Sequence, residues 1–166
     1  MKNNENESDT WARPRFKSLI LDLSIPALNN AKIGDHISAL QFLGKSDITE
    51  NRIRLYAYKK FGLGIEVTDS RISEMTFHFI SFVERLDDVF APRSFTGKIA
   101  YKTKTLPHEK SAILELYGTS CCNWDDGMTS SLLYIYNGVI TQFLFNSQNG
   151  KLKEIGLQAI SQTVEL

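Results

Sequence analysis

Two Asn-Gly steps in the last third of the chain, Asn137-Gly138 and Asn149-Gly150, each lie between apolar runs. Both residue types accept positive φ at low cost, which the tight two-residue turns of β-hairpins require. The flanking segments therefore read as a three-stranded antiparallel meander, Ser131–Tyr136, Val139–Asn146 and Lys151–Leu157. Turn length also sets register. A two-residue turn places Ile135 opposite Ile140, and an earlier turn at Asp69-Ser70 places Val67 opposite Ile72.

If these pairs face the core, strict alternation sends Gln142 and Glu74 inward. It sends Phe143, Phe145, Met75, Phe77 and Phe79 outward. Exposing so many large apolar side chains is costly, at roughly 1.5–3 kcal/mol each. Bulges near Glu74 and Gln142 are therefore expected to reset the alternation, the alternative being a sheet covered on both faces.

The shared break suggests an internal repeat. Ile25-Pro26 aligns with Leu106-Pro107, and the pattern ending at Gly44 aligns with the one ending at Gly118. Ile65, Val67, Ile72, Met75 and Phe77 align with Leu133, Ile135, Ile140, Phe143 and Phe145, with two changes of loop length between the blocks. Length changes of this kind are tolerated in loops. Each unit reads as a short helix closed by glycine, a polar loop and a hairpin: Ile33–Gly44 with Gly64–Phe79, and Pro107–Gly118 with Ser131–Asn146. Ile33, Ile37, Leu40 and Leu43 have helical spacing, with Asp35 as a cap and Gly44 as the stop.

The fold class expected is α+β: two similar helix-plus-antiparallel-meander halves forming one sheet with helices on one face. Residues 1–15 form a disordered or extended N-terminal segment, 16–81 the first repeat, 82–94 a connector and 95–166 the second repeat. Phe16–Leu23 is a buried strand ended by Pro26, with a turn at Asn29-Asn30. Ile53–Tyr58, Leu63–Thr68 and Ile72–Ser81 are further strands. In Gly97–Thr105, Ile99, Tyr101 and Thr103 alternate with Lys98, Ala100, Lys102 and Lys104, which reads as an exposed edge strand protected by lysine.

Lys+Arg and Asp+Glu both total 19, so no electrostatic attraction to nucleic acid or an anionic membrane is expected. The N-terminus lacks the pattern of a secretory signal, and no apolar run is long enough to cross a bilayer. The cysteines, Cys121 and Cys122, are adjacent and cannot staple distant segments, so a reducing, cytoplasmic setting is expected.

No motif points to catalysis, a metal or a cofactor. Cys121-Cys122 lacks zinc spacing and a base nearby in sequence. Asp125-Asp126-Gly127 lacks the alternating acids of a calcium loop. His36, His78 and His108 are scattered. The glycines of Phe61-Gly62-Leu63-Gly64 precede no helix that could receive phosphate. A binding surface is the better candidate: Tyr134 and Tyr136 alternate opposite Leu133 and Ile135, with Trp124, Asp125 and Asp126 in the preceding loop. Aromatic side chains anchor interfaces by burying large area with few rotors, and the acids would steer a basic partner.

Tandem helix–glycine–meander halves over Phe16–Leu157, marked by Ile25-Pro26 with Gly44 and Leu106-Pro107 with Gly118, resemble the layout of β-lactamase-inhibitor proteins. The layout is also similar to that of some bacterial immunity proteins. The paired disulfides of the inhibitor proteins are absent, and no functional residue carries over. The resemblance implies a non-enzymatic protein that occludes another protein. The alternative is an enzyme or small-ligand protein with a site between the halves. A homodimer through Gly97–Thr105 is a third possibility.

Overall fold

A computed structural model describes residues 7–50, 54–79 and 94–160 of the chain. The expected connector 82–94 lies, except for Ser94, outside the described residues. In chain order the strands are β1 (Ile20–Asp22), β2 (Ala27–Leu28), β3 (Ala31–Lys32), β4 (Ile48–Glu50), β5 (Leu55–Tyr58), β6 (Leu63–Thr68) and β7 (Arg71–His78). There follow β8 (Lys98–Tyr101), β9 (Lys104–Thr105), helix α1 (Lys110–Tyr117), β10 (Cys122–Asp125), β11 (Thr129–Tyr136), β12 (Val139–Asn146) and β13 (Leu152–Ala159).

The strands form two sheets. The larger has the order β10-β11-β12-β13-β7-β6-β5-β4, and the smaller β3-β2-β1-β8-β9. The chain is thus mostly β, and the expected α+β fold of two helix-plus-meander halves with helices on one face of one sheet is overturned. Two features account for the difference. The segments around Leu21 and Ile99, the first expected as a buried strand and the second as an exposed edge strand, pair in parallel and create the second sheet. Ile33–Gly44 contains only a seven-residue 3₁₀ helix, Ile37–Leu43. Its buried residues Ile37, Leu40 and Leu43 recur every three positions, the repeat of a 3₁₀ rather than an α-helix. Asp35 does not cap it: its carboxylate accepts from Lys32 N–H, and His36 Nδ1 accepts from Ser38 N–H instead.

The C-terminal meander is present, and one of its two turns follows expectation. Asn137 and Gly138 both have positive φ, 49° and 76°, and join Tyr136 to Val139. At Asn149-Gly150 only the glycine does, and a longer loop is closed by Asn146 N–H on Lys151 O. Gly97–Thr105 is a hairpin rather than one strand, turning at Lys102-Thr103, so its free edge is the two-residue β9. Gly44 is required sterically as well as by its φ of 72°, because a Cβ there would stand 2.8 Å from Ala12 O.

The expected register pairs Val67↔Ile72 and Ile135↔Ile140 both occur. In the first hairpin Glu66 pairs with Glu74 while Val67 pairs with Ile72, leaving Ser73 as an extra residue. That bulge keeps Ile72, Met75 and Phe77 all buried. The second hairpin has no bulge near Gln142, because Thr141, Phe143 and Phe145 alternate inward unbroken and Ile135 and Ile140 face outward. A bulge occurs instead on β13, where Lys153 is skipped between Leu144↔Glu154 and Phe145↔Leu152.

The core lies on the inner face of the larger sheet. Ile65, Met75, Phe77, Leu132, Phe143 and Ile155 meet Leu21 and Leu28 of the smaller sheet, Leu40 and Leu43 of the 3₁₀ helix, and Ile113 of α1 in one buried cluster.

Candidate functional site

β10 is the outermost strand of the larger sheet, and all four of its residues are exposed. Trp124, opposite Ser131, shares the outer face with Cys122, and its side chain is 52% exposed. Across the ladders the same face carries Leu133, Ile135, Ile140 and Leu144. Ile135 is 55% exposed, and the other three are half-buried. Further along the sheet the face becomes polar, with Glu154 and Gln158 on β13, Glu74, Thr76 and His78 on β7, and Glu66 on β6.

The residues expected to form the site are divided between two faces. Tyr134 turns toward the core, with its ring centroid 4.9 Å from that of Tyr117 and 5.9 Å from that of Phe143. Its hydroxyl donates to Gly118 O at 3.0 Å, and burial raises its pKa. Tyr136 lies on the Tyr134 side of β11, exposed at the hairpin end, away from Trp124.

Asp125 and Asp126 shape the turn that leads into β11. Asp125 Oδ1 accepts from Gly127 N–H at 2.9 Å and from Ser147 Oγ at 2.7 Å. Asp126 Oδ1 accepts from Met128 N–H at 2.9 Å and Thr129 N–H at 2.7 Å. These bonds favour the ionised forms and hold both pKa values below the ordinary aspartate value. Both carboxylates are open to solvent and keep their charge.

The acidic group on the outer face was only partly legible: Glu66 and Glu74 pair within the hairpin of β6 and β7, and Glu154 joins that face through the pairing of β13 with β7. Burial raises the Glu74 pKa, and repulsion from Glu66 and Glu154 adds to it, opposed by a hydrogen bond from the Thr76 hydroxyl. His78 Nδ1 stands 3.1 Å from Glu154 Oε2, close enough for an ion pair when protonated but not aligned as a hydrogen bond. The outward turn of the Trp124 face could have been found from one signal: Phe143 and Phe145 together outweigh Ile135 as claimants to the core.

Cys121 Sγ donates to Leu133 O, and both thiols are free and exposed. The histidines stay apart, at the 3₁₀ helix start, beside Glu154 and against the ring of Phe79. Among the described residues no three His, Cys, Asp or Glu side chains gather as metal ligands, and no helix is long and apolar enough to cross a membrane. A groove of about 500 Å³ runs past Arg15, Phe16, Lys17, Ile20, Ile25 and Phe42. A second, of about 420 Å³, lies beside β10 between Leu114, Gly118, Thr119, Ser120 and Asn123. Each is lined from one half of the chain alone.

No family model matches the chain, and no curated protein or solved structure is significantly similar to it.

Proposed function

We propose that this chain is a non-enzymatic binding protein that docks another protein on the outer face of its larger sheet, as an inhibitor or immunity factor does by occlusion. The observation that carries the reading is Trp124, half exposed on the same face as the equally exposed Ile135, with Leu133, Ile140 and Leu144 around them. Apolar groups clustered on one exposed face mark interaction sites more often than the same groups scattered singly. Tryptophan is also the residue type most enriched among binding hot spots. Beside this patch, Glu66, Glu74 and Glu154 favour a partner with a basic rim around an apolar anchor.

Occlusion needs a complementary surface and no chemistry, in keeping with a site that offers side chains for contact rather than a nucleophile held by a base. A cytoplasmic working place is supported by the exposed free thiols of Cys121 and Cys122, which persist in a reducing compartment.

The test is capture of a stoichiometric protein partner by the wild-type chain, compared with Trp124→Ser and Ile135→Ser. Loss of the same partner with each variant, while thermal stability is unchanged, is the outcome expected. Retention of the partner by both variants would exclude the outer face.

A further inference from the structure

We infer that the partner engages this chain by adding an extended strand to β10, a mode that rests on the binding reading above and makes it more specific. The ladder phase supports it. Asp126 N–H donates to Thr129 O at 3.2 Å, in step with the pairs Trp124↔Ser131 and Cys122↔Leu133. In an antiparallel ladder such residues bond to the neighbouring strand, and those between them present N–H and C=O to the other side. The backbone groups of Asn123 and Asp125 therefore point to the open edge.

Among the described residues the other sheet margins are shorter. β3 and β9 have two residues each, β9 with Lys104 and the preceding Lys102, and β4 has three. Short length and lysine are the usual protections against edge pairing. β10 has four residues, and Cys121–Gly127 contains neither lysine nor proline.

Both sides of this edge offer contacts for the side chains of an added strand, which alternate between faces. On the outer side they meet Trp124. On the inner side the groove lined by Leu114, Gly118, Thr119, Ser120 and Asn123 offers Leu114 as the apolar contact for an aliphatic side chain. Two residues along, on the same side as Asn123, stands Asp125, followed by Asp126. β10 carries no cation of its own, and the neighbouring Lys110 donates to Asn123 Oδ1 at 3.3 Å. A second copy of β10 paired with Asp125 opposite Asp125 would bring acid to acid. The charge favours a segment from a different protein, with Lys or Arg opposite Asp125 and an aliphatic residue two positions away opposite Asn123.

The probe is a capped heptapeptide, Ser-Thr-Lys-Val-Leu-Thr-Ser, titrated into the full chain and followed by amide shifts and hydrogen exchange. Binding is expected to protect the amides of Asn123 and Asp125. Methylating the Lys and Leu backbone nitrogens, which face β10, is expected to weaken binding about tenfold or more, whereas methylating the Val nitrogen leaves it unchanged. Replacing the probe's Lys by Glu weakens it too. Equal binding of all the methylated forms overturns the inference, as does protection of both amides in a dimeric protein without the probe. In partner capture, Asn123→Pro removes an outward N–H that makes no ladder bond, a change an edge strand tolerates. Loss of the captured partner with this variant supports strand addition. A partner lost with Trp124→Ser but kept with Asn123→Pro overturns strand addition and leaves the outer-face reading standing, whereas one kept with both removes the two together.

Discussion

The Tyr134 hydroxyl donates to the carbonyl of Gly118 at 3.0 Å, fastening β11 to the residue that ends α1. Tyr134 therefore works as a structural tie, although its aromatic character suggests an interface residue. Tyr134→Phe keeps the ring packing and deletes the bond. The variant is expected to lose about 1 kcal/mol, seen as a fall of about 2–4 °C in the melting midpoint for a chain of this size. Partner capture is expected to be unaffected, in contrast to Trp124→Ser.

Phe143 and Ile135 test which face of the second hairpin is covered. Phe143 is fully buried and Ile135 is 55% exposed. Phe143→Ala is expected to cost about 3–5 kcal/mol in urea unfolding, against less than about 0.5 kcal/mol for Ile135→Ala. Equal costs would mean that both faces are covered.

Glu74 sits opposite Glu66 on the outer face and has a raised pKa. A carboxyl whose folded pKa exceeds its unfolded value binds its proton more tightly when folded. Its protonation thus favours the fold, a contribution present below the unfolded value of 4.5 and lost as pH rises through the folded value. Glu74→Gln is expected to stabilise the protein at neutral pH by about 0.5 kcal/mol, the scale of a like-charge cross-strand pair. The advantage disappears well below pH 4.5. Urea midpoints at the two pH values check it.

Asp126 behaves in the opposite way. Its pKa is lowered, first by the Thr129 N–H and then by the Met128 N–H. The stability it supplies is present above the unfolded value of 3.8 and is lost as pH falls through the folded value. Asp126→Ala is expected to melt below the wild type at neutral pH, with the two midpoints converging in acid. Amide exchange at Met128 and Thr129 is expected to accelerate in the variant.

Much of the local structure was legible in the chain. Asn137-Gly138 specified its hairpin because both residues accept positive φ, and the register Ile135↔Ile140 followed from the turn. The bulge beside Glu74 was legible because only an extra residue keeps Ile72 and Met75 on one side. Ile33 extends the apolar spacing to that of an α-helix, whereas the three-residue repeat of Ile37, Leu40 and Leu43 is that of the 3₁₀ helix that forms. Of the candidate site, residue type singles out Trp124, Asp125 and Asp126, whereas Glu154 joins Glu74 on the outer face only through the pairing of β13 with β7.

The amino-acid sequence by itself determined the Asn137-Gly138 turn and the pairs Val67↔Ile72 and Ile135↔Ile140, which depend on φ preferences and side-chain period over a few positions. Only the tertiary structure decided which face of each hairpin is covered. Val67↔Ile72 and Ile135↔Ile140 are equivalent pairs in register, yet the first pair is buried and the second faces outward. The difference comes from what packs on the sheet, and that cover is built by pairing β1 with β8 from distant parts of the chain. Burial is a long-range property, so the grouping of Trp124 with Leu133, Ile135 and Leu144 on one uncovered face is decided by the complete fold.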